Sequence, residues 1–203
     1  GILCHNKIDQ NYFKGLFPEK KTELMQSLMI EDTIKDAKYI PKKDKIIIGG
    51  NLTRWYGGID SYLVAKETSF PIIAPSMGRK QKNEDKHFDI THLPAQNWKN
   101  WIYSLASFKI GIHLMPTYAA GTFAMNCGYL GIPCIGYKSL DTQNKIHTEL
   151  TIEPGDIGNA KSLIKKLIND PEFYKKQSQN AQLRYSKHFS ETAFKKSIKN
   201  IFS

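Results

Sequence analysis

Ala119-Ala-Gly-Thr-Phe-Ala-Met-Asn-Cys-Gly-Tyr-Leu-Gly-Ile-Pro-Cys-Ile-Gly136 reads as a loop ending in glycine, one short helix, a Gly-Ile-Pro turn and a buried strand from Cys134 to Gly136. Just before it, Lys109-Ile-Gly-Ile-His-Leu-Met-Pro116 is an apolar strand stopped by proline. A strand that runs through a glycine loop into a helix directs free backbone N–H groups and the positive end of a helix dipole at one spot, which suits a phosphate. Ala120, Phe123, Ala124, Cys127 and Leu130 fall at the spacing of one apolar helix face, so this helix packs on a sheet. Thr122 and Asn126, four residues apart, share another face that can look toward a ligand.

Working outward, six short apolar runs alternate with helical patterns after residue 44: Ile46–Gly50, Ile72–Ala74, Ile90–Leu93, Ile110–Leu114, Cys134–Gly136 and a weak one at Leu150–Ile152. Helices are expected at Gly57–Thr68, Asn97–Phe108, Gly121–Leu130 and Thr142–Glu149, and the charged stretch from Arg79 to Lys86 reads as a loop with at most a short helix. This alternation predicts an α/β fold, a doubly wound Rossmann-like parallel six-stranded sheet. With strand order 3-2-1-4-5-6, the ligand crevice lies beyond the carboxyl ends of the first and fourth strands, and the Gly49–Gly58 and Pro116–Gly121 loops face each other. Extra C-terminal helices follow at about Ile157–Asn169, Glu172–His188 and Glu191–Phe202; Pro171 suits a first turn and Ser190 with Glu191 a helix start. Residues 1–43 do not fit the repeat. Ile2–His5 reads as a strand remnant, Asp9–Phe17 and Glu31–Tyr39 as helical, and Pro41 to Asp44 as a boundary.

At 203 residues and 40% hydrophobic content the chain is long enough for a sizeable core. No apolar run approaches the ~20 residues that span a bilayer, and no signal peptide is apparent. The chain opens on Gly1 rather than Met, which suggests a trimmed chain. Cys4, Cys127 and Cys134 lack metal-ligand spacing and read as reduced core thiols of a cytoplasmic protein, with peripheral membrane attachment a further expectation. The net charge of +10 makes nucleic acid, an anionic membrane surface and a phosphorylated ligand candidate partners. Ten Lys/Arg against four Asp/Glu fall between Asp156 and Ser203, the pattern of solvated helix faces. Aromatic residues do not alternate with them, so sequence-specific nucleic acid binding is not expected.

The order of these pieces resembles the C-terminal, donor-binding half of GT-B glycosyltransferases, in particular the group whose hallmark is a Glu-x7-Glu motif. The residues that carry the resemblance are Ile46-Ile-Ile-Gly-Gly-Asn-Leu with Gly57-Gly-Ile-Asp, Thr91-His-Leu-Pro, Met115-Pro-Thr-Tyr-Ala-Ala-Gly-Thr, Leu130-Gly-Ile-Pro-Cys-Ile-Gly, Glu153-Pro-Gly-Asp and His188-Phe-Ser. It implies that residues 1–43 are the tail of an acceptor-binding domain with the interdomain linker, and that residues 44–203 bind a nucleotide sugar. The departures are as informative. Asn126 stands where the family has its second Glu and Tyr118 where it has the first. The family's diphosphate-holding Arg and Lys fall on Asn51 and Tyr56, which leaves Arg54 as the sole cation of that loop. Asn126 can still bond ribose hydroxyls through its amide, whereas Tyr118 changes the sugar site.

The candidate donor-binding residues follow from both readings. Gly49 and Gly50 let a phosphate approach backbone, or form a plain turn. Arg54 offers a fork of donors to a diphosphate, or is solvated. Trp55 and Tyr56 either cover the crevice or pack on a further domain. Backbone at His92 and Leu93 would, by the resemblance, meet the nucleobase. Gly121 and Thr122 gather N–H groups for phosphate; Asn126 and Tyr118 are placed at ribose and sugar. Asp141 reads as an N-cap, or with Thr142 as a contact to donor sugar or phosphate. His113, inside an apolar strand, reads as a satisfied core histidine. The other histidines share no spacing, so neither a metal nor any other cofactor is expected beyond the donor itself, and no catalytic set stands out. Two functions lead: half of a glycosyltransferase, expected to show little transfer alone, or a non-catalytic domain of the same fold that binds a phosphorylated ligand or glycan; another doubly wound fold, such as a sugar-nucleotide epimerase relative, is a weaker third. A dinucleotide oxidoreductase is disfavoured because no Gly-x-Gly-x-x-Gly follows the first strand.

Overall fold

Ile46, Ile47 and Ile48 are wholly buried, three β-branched residues in a row, and such a run is stable only in a strand covered on both faces. That strand is the centre of the sheet. The computed structural model describes residues 1–50, 52–77 and 86–202, so Asn51 and most of the expected Arg79–Lys86 loop lie outside the described residues, as does the side chain of Arg54. The main sheet contains β3 (Lys43–Ile48), β4 (Ile72–Pro75), β5 (Thr91–Leu93), β6 (Phe108–His113), β7 (Cys134–Tyr137) and β8 (Thr151–Ile152) in the order β5-β4-β3-β6-β7-β8. Every pairing is parallel, with Ile46 opposite Ile72 on one side and Ile110 on the other. This is the 3-2-1-4-5-6 order expected for a doubly wound sheet, and strand order reverses between β3 and β6.

Alternation along β3 divides the core in two. Ile47 and Phe108 join Phe123, Cys127 and Leu130 on one face of the sheet. That layer is built by α3 (Trp98–Leu105), α4 (Thr122–Leu130) and α5 (Asp141–Ile146). Ile46, Ile48, Ile110 and Ile112 join Val64 and Ile164 on the other face, under α2 (Gly58–Ala65) and α6 (Ile157–Asn169). Each fully buried isoleucine contributes about 1.5–3 kcal/mol. The nineteen-residue α7 (Pro171–Phe189) serves both layers: Phe173 and Tyr174 pack with the second, Ala181, Tyr185 and Phe189 with the first. It starts where proline and an Asp170 cap place it, the carboxylate accepting from Phe173 N–H at 2.9 Å. Arg184 forks onto Glu149 at 2.5 and 2.7 Å, tying α7 to the end of α5. The final helix, α8 (Glu191–Phe202), starts after Ser190, whose hydroxyl accepts from Ala193 N–H.

Residues before the sheet form a separate parallel pair, β1 (Ile2–Cys4) and β2 (Thr22–Leu24), joined through α1 (Lys7–Leu16). The helical expectation for Glu31–Tyr39 is corrected here. Two short 3₁₀ turns, Glu31–Thr33 and Lys35–Tyr39, take its place, because Ile34 between them turns out of helical geometry at φ −132° to bury its side chain. Expected strand and helix ends also shift: β3 begins at Lys43 across an irregularity in its pairing, and Phe108 opens β6 instead of closing α3. Cys4, Cys127 and Cys134 are buried and free, as their apolar surroundings suggested. Among the described residues no helix is long and apolar enough to cross a membrane.

His113 and His147 are both buried, and burial lowers the pKa of each from 6.5 to about 4. His147 Nε2 faces the Ala124 carbonyl at 3.0 Å. The native state therefore binds fewer protons than the unfolded chain between these values, and stability is lost as pH falls from about 6.5 toward 4. Acidification from pH 7 to pH 5 should cost roughly 2 kcal/mol per histidine, read from urea unfolding midpoints at the two pH values. An unchanged midpoint would mean that neither ring is neutral and buried in solution.

Candidate functional site

The carboxyl ends of β3 and β6 are joined by a set of short buried contacts. Gly49 N–H donates to the Ile112 carbonyl at 2.7 Å, which holds the chain against β6 for one residue beyond β3. The chain then turns through Gly50 and a 3₁₀ turn, Arg54–Tyr56, to reach Gly57 at φ +66°. A Cβ on Gly57 would stand 1.6 Å from the Leu114 carbonyl oxygen, so only glycine fits this crossing. Ser61 completes the junction: its hydroxyl donates to the Gly57 carbonyl at 2.8 Å and accepts from Leu114 N–H at 3.0 Å. Thr117 Oγ1 donates to the Trp55 carbonyl at 3.1 Å, linking the loops further out.

The second loop is pinned from the other side as well. Ser139 Oγ donates to the Met115 carbonyl at 2.5 Å, and Asp141 and Thr142 N–H donate to the Ala119 and Ala120 carbonyls at 3.3 and 3.1 Å. Thr142 Oγ1 donates to the Gly121 carbonyl. Gly121 is the N-cap of α4 and supplies no side chain to it, so no side-chain hydrogen bond closes this helix end. The N–H groups of the first helical turn are then left for an outside acceptor.

Between the two loops lies a cleft of about 640 Å³. Gly49, Gly50 and Tyr56 form one side; Ala119, Gly121 and Thr122 form the other. Pro94, Ala95 and Gln96, just past β5, close one end, and Trp101, His113 and Phe123 line the floor. The two loops face each other, as expected for the point where strand order reverses. Among the described residues the lining holds no charged side chain; the N–H groups and the helix dipole offer an anion typically ~0.3–1 kcal/mol and up to ~2 when partly buried.

The sequence-predicted residues separate into groups. Gly49, Gly50, Gly121, Thr122 and Asn126 line the cleft. Asn126 is 6% exposed; with its amide oriented to suit its neighbours, Nδ2 donates to the Thr122 carbonyl and Oδ1 accepts from Trp101 Nε1, both at 3.2 Å. One N–H and one lone pair of that amide are left over. His92 and Leu93 stop short of the cleft, whose lining begins at Pro94, and Leu93 packs against the core. Tyr118 is 56% exposed and outside the lining. Asn51 and the Arg54 side chain lie outside the described residues.

Two readings are corrected. Leu140, not Asp141, is the N-cap of α5; Asp141 is its first residue, and its Oδ2 accepts from Lys7 N–H at 2.7 Å, holding α1 to the sheet domain. His113 is buried but not satisfied: neither ring nitrogen has a hydrogen-bond partner. Trp101, Phe123, Gln96 and His113 had not been expected at the site. A count of strand residues could have placed His113 at the mouth of β6, since it is the last residue of the strand. Among the described residues no three His, Cys, Asp or Glu side chains gather as a metal site.

No family model matches the chain, and no curated protein matches it by sequence. Solved structures do. HepE of Anabaena, in complex with UDP-glucose, superposes with a TM-score of 0.77 at 13% identity over 98% of this chain and 63% of its own. Sucrose-phosphate synthase of Thermosynechococcus elongatus gives 0.74 at 15% identity over 98% of this chain and 57% of its own. The C-terminal domain of the group 1 glycosyltransferase LpcC from Francisella tularensis gives 0.60 at 17% identity, over 82% of this chain and 96% of its own. The fold is that of a GT-B C-terminal domain. The chain spans less than two thirds of the HepE and sucrose-phosphate synthase chains it matches.

The crossing at Gly57 makes a direct test of how this GT-B cleft is held. Gly57→Ala should destabilise the protein by about 3 kcal/mol or more, because the added carbon meets backbone that cannot move aside and the residue must keep a positive φ. Ser61→Ala should cost about 1–3 kcal/mol through the unpaired Leu114 N–H. Denaturant unfolding reads both, and a Gly57→Ala midpoint equal to wild type would show that the loops do not cross this closely.

Proposed function

We propose that this chain is the donor-binding half of a glycosyltransferase, taking a nucleotide sugar through its diphosphate and transferring the sugar to an acceptor held elsewhere. The observation that carries the reading is the uncapped N-terminus of α4 opposite the Gly49–Gly50 turn, in one cleft at the point where strand order reverses. A diphosphate fits there because it presents only acceptors to a wall that presents donors. Pro94 and Ala95 at one end, with Trp101 on the floor, offer an apolar surface that suits a nucleobase face. Stabilising the departing diphosphate by fixed N–H dipoles is electrostatic catalysis. The complex of HepE with UDP-glucose supports the ligand class.

On this reading residues 1–43 are the end of an acceptor-binding domain. A two-stranded parallel sheet is marginal alone, and α1 leaves Ile8, Tyr12 and Leu16 exposed at 46, 62 and 52% along one helical stripe. The second reading, a binding domain without transfer activity, is favoured by a separate observation. Asn126 and Tyr118 stand where two carboxylates are expected, the first engaged with Trp101 and Thr122, the second outside the lining.

Thermal unfolding against nucleoside diphosphates of the five common bases and their glucose conjugates tests both. A ligand at a hundred times its Kd adds about 2.7 kcal/mol, which for a chain of this size raises Tm by roughly 5–10 °C. No shift with any of them at millimolar concentration would overturn the donor-binding reading. With the best ligand, Arg54→Ala should weaken a nucleoside diphosphate on the order of 10- to 100-fold while leaving the parent nucleoside unaffected. Calorimetric titration distinguishes the outcomes; equal losses for both ligands would remove the charge argument. Sugar transfer with the bound donor and simple acceptors separates the transferase from the binding domain.

A further inference from the structure

A histidine is an odd final residue for β6, whose other inward positions are isoleucine, phenylalanine or glycine. His113 is 6% exposed and lines the cleft, yet both ring nitrogens lack partners. An imidazole buried in this state forfeits the hydrogen bonds it made in water, so its retention calls for a partner that arrives from outside. The surroundings say what kind of partner. Phe123, from the first turn of α4, meets the ring edge-on with centroids 5.4 Å apart, which sets His113 beside the uncapped helix end. A group seated there faces N–H donors and must itself be an acceptor. Room for the ring exists because residue 49 is glycine: a Cβ there would lie 2.8 Å from His113 Cγ and 2.5 Å from Phe123.

We propose that His113 is the side chain through which this cleft reads a diphosphate, and that the ring takes up a proton from solvent as the diphosphate binds. The proposal rests on the donor-binding reading above. In the empty cleft the nitrogens are covered, so the ring rotates about its side-chain bonds to bring one N–H onto a phosphate oxygen. Among the described residues the charged and titratable groups around it are few. The chain just past β3 presents Gly49 and, at the cleft, the Tyr56 phenol; β7 pairs Gly136 with it; α4 presents Phe123 and neutral Asn126, with the Cys127 thiol nearby against Gly111; α3 presents Trp101. Arg54, in the facing loop, is the cation whose side chain is not described. Burial alone lowers the ring's pKa to about 4. A phosphate charge at hydrogen-bond distance favours the imidazolium and raises this value. Proton uptake then occurs between the two pKa values, and affinity increases as pH falls from 7 toward 5.

The test uses the whole chain and sodium pyrophosphate, which needs no knowledge of base or sugar. Long-range proton–nitrogen NMR resolves the imidazoles, with the other five histidines as internal controls. The His113 signals should move on saturation with pyrophosphate, and its titration midpoint should rise by about two pH units or more from its value near 4. His113→Leu should bind pyrophosphate on the order of tenfold more weakly at pH 6, while the empty protein unfolds at the same or higher temperature because an unpaired polar group has been removed. His113→Gln should recover part of the affinity but none of its added pH dependence. Unmoved His113 signals under saturating pyrophosphate, or wild-type affinity in His113→Leu, overturn the proposal and leave the donor-binding reading standing. Absence of any pyrophosphate binding, together with no stabilisation by nucleoside diphosphates, overturns both.

Discussion

The cleft depends on one buried hydroxyl. Ser61 sits on α2 and joins the chain leaving β3 to the chain leaving β6, donating to Gly57 and accepting from Leu114. Strands β3 and β6 already pair, but pairing ends with the strands and strand ends diverge with sheet twist. Ser61 and the Gly57 crossing extend that contact past the sheet, so the two loops leave their strands at a fixed separation. The positions of Gly49, Gly50, Gly121 and Thr122 around the cleft all follow from this separation. Ser139 and Thr142 then hold the outer side of the second loop, and the helix end it leads into cannot drift from the cleft.

Residues that look available for ligand in a list of polar side chains are largely engaged in building this frame. Thr142 is 3% exposed and tied to Gly121; Asp141 is tied to Lys7; Asn126 is shared between Trp101 and Thr122. Among the described residues what faces the cleft is backbone, aromatic and aliphatic surface, the side chains of Gln96, Thr122 and Asn126, and one histidine. In the proposed donor-binding role such a wall would discriminate by shape and by acceptor count, with its donors in place before a ligand arrives. Preorganised N–H groups lose little on binding, which is why backbone sites for phosphate need no long flexible cation.

The fold was legible in the sequence because its signals are local and repeated. Buried isoleucine runs, glycine loops and a Gly-Ile-Pro turn mark strands and their exits, and six of them in alternation with helices leave few topologies open. The facing of the Gly49 and Gly121 loops follows from strand order, so half of the cleft was legible too. Glu31–Tyr39 was not, since over nine residues a spacing of three and one of 3.6 place the same apolar residues inward. Asp141 failed for a different reason: its partner, Lys7, is 134 positions away, and no local pattern records such a contact. The state of His113 was hidden because an apolar strand looks the same whether its last residue is sealed in the core or set at the mouth of a cleft.

Asn126 shows what an amide does at a position where the resemblance places a carboxylate. Its neighbours ask for two opposite things: Trp101 Nε1 needs an acceptor, and the Thr122 carbonyl faces it at a distance that needs a donor. A carboxylate would meet the first demand and oppose the second, placing negative charge against a carbonyl oxygen at the floor of the cleft proposed to take an anion. The amide meets both, and in doing so it fastens α3 to the first turns of α4. Trp101 in turn packs on Phe123 with ring centroids 6.4 Å apart, and Phe123 on His113. The floor is thus a row of three rings held by one amide. Within that row of rings His113 alone has unused hydrogen-bonding capacity, so it is the ring through which a change in the cleft's polarity would act.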